Sequence, residues 1–141
     1  MAKVTQENVV KEFARQRVTG EDLPGPGILD ALAQTATGAL NMSLGSPLAS
    51  EAKIREQTIA HIVHAFLRPP DPRDVHASMM PKIVKSVFEE LEAPKPSADV
   101  VTALSEVAIG FVREGDRALP SIARLMAAQS AVGFYLHASP S

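Results

Sequence analysis

The sequence predicts an all-α protein, a compact single-domain bundle of five or six helices with Pro-rich connectors. Three observations predict it. The 141 residues are 45% hydrophobic and 21% charged, a globular composition in a chain long enough to bury a core without staples. Eight of the eleven prolines gather in "EDLPGPG", "GSPLAS", "RPPDP" and "EAPKPS", which read as connectors. Between these connectors apolar residues recur at helical spacing, and no sustained alternation marks a strand.

The elements follow in order. A first helix is expected over Gln6 to Arg17, with Thr5 as N-cap and Gly20 just past its end. A second follows Pro26-Gly27 from Ile28 to Leu44, where Gly45 closes it. A third begins after Ser50 and ends near Leu67, before Pro69-Pro70. Asp71 should cap a short turn with Pro72 at its first helical position, and Pro81 should break or kink that turn.

Over Pro81 to Glu92, Ile83, Val84, Val87, Phe88 and Leu91 form one apolar stripe, with Lys82, Lys85, Glu89 and Glu92 opposite. After the N-cap Ser97, the stripe Val100, Val101, Leu104, Val107, Ala108, Phe111 and Val112 runs to Gly115. The last helix is expected from Arg117 to His137, with Pro120 tolerated in its first turn. The domain spans residues 1–141, with short flexible ends expected at 1–4 and 138–141.

Composition excludes several function classes. With 14 Lys+Arg against 16 Asp+Glu, the formal net charge of -2 offers no long-range attraction to nucleic acid or an anionic membrane. The chain contains no cysteine, so disulfides, thiolate zinc sites and a cysteine nucleophile are excluded. Charges at Lys3, Glu7, Lys11 and Glu12 leave no apolar signal core, and the run from Leu119 to Leu136 is interrupted by Arg124 and Gln129. The expectation is a soluble, cytoplasmic protein.

Three of the four histidines fall in "TIAHIVHAFLRPPDPRDVH", from Thr58 to His76. On the third helix Ile59, Ile62, Val63 and Phe66 share one face, while His61 and His64 point away from it as i,i+3 neighbours. Two imidazoles do not make a zinc site, which takes three or four protein ligands, and the glutamate of a helical HExxH motif is missing. Whether His76 converges on the pair depends on the intervening turn. Surface histidines and no metal are expected.

Other constellations are weaker still. "SIARLMAAQSAVGFYL" offers Ala123 and Val132 at helix-turn-helix positions, but Ser130 to His137 holds no Lys, Arg, Asn or Gln to read bases. "PGPG" places glycines at a helix start, where amides can hold an anion, yet lacks the Lys-Ser/Thr ending of a phosphate loop. "FEELE" at Phe88 to Glu92 reads as solvated charge. The serines show no nucleophile elbow. No catalytic set and no cofactor emerge, and the balance leans away from an enzyme.

The informative feature is a lack of charge. From Ala31 through Ser50 there is no charged residue, and from Leu125 onward only His137 can ionise near neutrality. A bundle helix facing water normally has a charged side. Either both helices fill the bundle centre, or one presents a neutral face to another molecule.

The leading expectation is a non-enzymatic association protein, homo-oligomeric or an adaptor, with Ala128 and Ala131 at the contact. Its partner is itself or another protein, with neither nucleic acid nor membrane involved. The alternative is a sensor or carrier holding a small molecule between helices, in a pocket lined by Met126, Gln129, Phe134 and Tyr135. Gln129 lies within the stripe Ile122, Leu125, Val132 and Leu136, where a dry core would require a hydrogen-bond partner.

Overall fold

A computed structural model describes residues 3–43, 51–70, 72, 76–114 and 120–138. Among these, all regular structure is helical: α1 (Gln6–Arg15), α2 (Pro26–Ser43), α3 (Glu51–Leu67), α4 (Met80–Glu90), α5 (Ala98–Glu114) and α6 (Pro120–Leu136). Short 3-10 turns lie at Gly20–Asp22 and Ala77–Met79. The expected roles of Gly45, Asp71, Gly115 and Arg117, and the end at 139–141, fall outside the described residues.

Local chemistry sets the helix limits. The Thr5 hydroxyl accepts the Asn8 amide at 3.2 Å, while the Asn8 side chain accepts the Thr5 amide at 3.0 Å. Two otherwise orphaned donors are thus satisfied at the start of α1. Its end departs from expectation. Arg17, rather than Gly20, takes the first left-handed conformation, with φ 68°. The Val18 amide then bonds the Phe13 carbonyl at 2.8 Å and the Arg17 amide bonds Ala14 at 3.0 Å, the paired closure of a Schellman end.

Helix α4 closes in the same way. Glu92 has φ 54°, Ala93 bonds Phe88 at 3.0 Å and Glu92 bonds Glu89 at 3.0 Å. Leu91 therefore leaves the stripe and is exposed, contrary to its expected place in the core. Pro81 starts α4 rather than breaking a turn, because it sits in the first turn, where its missing amide costs nothing. The Ser97 hydroxyl accepts the Val100 amide at 3.3 Å at the start of α5. Pro26 opens α2 two residues before the expected Ile28.

Helix α2, without charge from Ala31 onward, is the central helix, packed against α1, α3, α5 and α6, while α4 packs against α5 and α6. Ala31, Leu32, Ala33, Ala36 and Leu40 are buried. Its buried hydroxyls are satisfied locally: Thr35 donates to the Ala31 carbonyl at 2.7 Å and Thr37 to Ala33 at 2.8 Å. Thr37 also accepts the Val4 amide at 2.9 Å, and Val4 is buried. Val4, within the end expected to be flexible at 1–4, is thus placed against α2 by burial and a hydrogen bond.

Two glycines allow the close helix contacts. A Cβ on Gly38 would overlap the Phe134 carbonyl oxygen of α6 and lie 2.6 Å from its carbon. A Cβ on Gly110 would overlap the Ala65 carbonyl of α3 and lie 2.6 Å from Ala65 Cα. Small residues here serve backbone-to-backbone approach.

Candidate functional site

Helix α6 divides into two faces. Arg124, Ala127, Ala128, Ala131 and Val132 turn inward and are buried. Ala128 and Ala131, expected at a contact with another molecule, lie fully buried within this chain's own core. At 100° per residue they sit on the side of the helix that meets α2, α4 and α5.

The outward face carries Ile122, Leu125, Met126, Gln129 and Gly133. Ile122, Leu125 and Met126 remain 50%, 43% and 57% exposed. Gln129 is exposed among them, so water satisfies its amide and no buried partner is needed. A Cβ on Gly133 would meet nothing within 4 Å, leaving a shallow recess beside Gln129. Because Arg124 points inward, no formal charge interrupts this stripe. Six large hydrophobic side chains are notably exposed among the described residues, and three of them lie here.

Beside the stripe, α3, α5 and α6 enclose an open groove of about 450 Å³. His61 comes from α3, Phe111, Val112 and Glu114 from α5, and Ala123, Met126, Ser130 and Phe134 from α6. The Phe111 and Phe134 rings meet edge to face, with centroids 6.3 Å apart and planes at 88°. His61 stacks on Phe111 with centroids at 5.6 Å and planes at 18°. At the mouth, Glu114 Oε2 lies 3.7 Å from His61 Nε2, and Oε1 lies 3.5 Å from Arg68 Nη1.

The expected pocket residues separate in space. Met126 and Phe134 line the groove, whereas Gln129 is on the outer stripe. Tyr135 faces α4, its ring 6.1 Å from Phe88 at 68°, while the Gln34 amide donates to its backbone carbonyl at 3.2 Å. Burial, and then the negative charge of Asp30, push the Tyr135 phenol up, partly offset by a hydrogen bond from Gln34. It is a packing residue whose phenol stays neutral.

The histidines do not converge. His61 meets Phe111 and Glu114 rather than His64, which is exposed, as is His76. Among the described residues no group of three or more His, Asp or Glu side chains could hold a metal ion. The "PGPG" helix start is occupied by the chain itself. The Asp99 carboxylate, from the first turn of α5, rests where a Gly27 Cβ would project. Its negative charge complements the positive end of α2 there.

Phe111 and Glu114 were not singled out as site residues in the sequence, since both read as members of an ordinary amphipathic helix. The available signal was Gly110, a mid-helix glycine between apolar neighbours, which marks the close approach that brings α5 to α3. Among the described residues no helix is long and apolar enough to cross a membrane. No family model, curated protein or solved structure significantly matches this chain.

Proposed function

We propose that this protein works by association, and that the outward face of α6 is the contact through which it pairs with a second copy of itself. The observation that carries this reading is the exposure of Ile122, Leu125 and Met126 on a stripe without charge. Water-facing helix surfaces normally carry charged side chains, and removing this apolar area from water is favourable by about 25 cal/mol per Å².

The stripe is self-complementary. Gln129 lies midway between Ile122 and Leu136, so a two-fold axis at Gln129 would run two α6 helices antiparallel. Ile122 would then oppose the partner's Leu136, and Leu125 would enter the recess at the partner's Gly133. The two Gln129 amides, each with donors and an acceptor, would pair with each other. A contact made by one patch on both subunits has this isologous character.

The native chain contains no cysteine, so one introduced thiol reports a pair without ambiguity. Gln129→Cys should form a disulfide-linked dimer under mild oxidation, because a two-fold brings the same position of both chains together. Thr102→Cys, exposed on α5, should remain monomeric in denaturing gels. Equal cross-linking of both variants would indicate random collision and remove the proposed contact.

A further inference from the structure

We propose that the groove between α3, α5 and α6 binds a small organic cation carried on an apolar body, of the aryl- or alkylammonium class. This does not rest on the self-association of α6: Met126 belongs to both surfaces, but Glu114, Phe111 and Phe134 lie off the outer stripe. The volume of about 450 Å³ is of small-molecule size, and its walls are apolar apart from a few polar groups.

The ligand's charge follows from the lining. Among the described groove residues Glu114 is the one carboxylate or fixed cation, and His61 and Ser130 are the other polar side chains. The carboxylate is held loosely, with Arg68 at 3.5 Å and His61 at 3.7 Å. Charge-assisted hydrogen bonds are shorter, about 2.7–2.9 Å, so acceptor capacity remains towards the groove. An anion would meet repulsion from Glu114. A neutral ligand would strip water from the carboxylate without supplying a counter-charge.

A cation answers both difficulties. It would face the carboxylate on one side and the Phe111–Phe134 corner on another, where the rings offer negative π-faces. The polarisable Met126 thioether provides an adaptable wall for the apolar body. Arg68, outside the groove lining, pairs with Glu114 only at 3.5 Å.

The test titrates the full chain with benzylammonium, benzyl alcohol or benzoate and follows the methionine methyl signals by NMR. Met126 should shift saturably with the cation, with half-saturation below about 1 mM, while buried Met80 stays still. Benzyl alcohol and benzoate should bind at least about tenfold more weakly. Glu114→Gln should cost the cation about tenfold and leave benzyl alcohol unchanged. Ser130→Lys, which leaves Glu114 intact, should weaken the cation selectively through like-charge repulsion.

The same titration on Leu125→Gln, which alters the outer stripe without adding charge or touching a groove residue, should give the wild-type affinity whether or not α6 pairs. Absence of saturation with the cation would overturn the proposal. So would equal affinity for all three probes, or a preference for the cation that survives both groove substitutions.

Discussion

Replacing Gly38 with alanine tests the packing that fixes the orientation of α6, and hence both of its faces. The added Cβ would overlap the Phe134 carbonyl oxygen and stand 2.6 Å from its carbon, where ordinary contact begins near 3.4 Å. The obstacle is helix backbone, not the end of a flexible side chain, so α2 and α6 must part to admit it. Overpacking of this kind costs about 3 kcal/mol, at the upper end of its usual range. The better helix propensity of alanine returns about 1 kcal/mol, leaving a net loss near 2 kcal/mol. For a chain of this size that lowers Tm by about 8 °C.

Gly133→Ala is the matched control on α6, because its Cβ enters open space. It should raise stability by about 0.8 kcal/mol, or about 3 °C. Both substitutions belong in an Ile122→Glu background, so that pairing of α6 does not contribute to the melt. Calorimetry gives the two shifts directly. If Gly38→Ala stabilises as Gly133→Ala does, the close crossing of α2 and α6 is refuted.

Three further outcomes follow from the same structure. Glu92→Gly should stabilise by about 1 kcal/mol in urea unfolding, because glycine removes the left-handed strain at φ 54°; an unchanged midpoint would contradict the assigned helix end. Ala128→Asp should unfold the chain or sharply lower its Tm rather than simply separate subunits, since an unpaired charge would enter the core beside α2 and α4; a folded monomer of unchanged Tm would contradict that burial. Burial pushes the Glu106 carboxyl up, so the folded state holds its proton more tightly than the unfolded chain does. Its contribution to stability is greatest in acid and is lost as pH rises through the raised folded value; Glu106→Gln should therefore melt higher than wild type at neutral pH and lose that advantage in acid.

The helical plan was legible because its signals are local. Thr5, Ser97 and the proline clusters mark helix starts, and stripes such as Val84, Val87 and Phe88 mark buried faces. The helix ends were harder to read, since Arg17 and Glu92 adopt a conformation that composition assigns to glycine. Their closure depends on Val18 and Ala93 turning back onto the core, which is a tertiary effect.

The site was legible only as a lack of charge. That lack has two causes: α2 is enclosed by neighbouring helices, whereas α6 is enclosed on one side only. Periodicity places Ile122, Leu125 and Gln129 on one face and Ala128 and Ala131 on another, but it does not say which face meets the core. The alanines go inward because small side chains let α6 lie close to α2 at Gly38. The groove needed the fold itself, since His61, Glu114 and Met126 come from three helices brought together at Gly110 and Gly38.

The most direct test of association through α6 is the mass of the intact chain by light scattering during size exclusion, across a hundredfold range of loading. Wild type should run at twice the 15.0 kDa chain mass and fall towards the single-chain value only on dilution. Leu125→Glu, which places a charge on the outer stripe without entering the core, should run as a folded monomer throughout. A wild-type chain that stays at 15.0 kDa at the highest loading, or a Leu125→Glu chain that still pairs, would contradict the account.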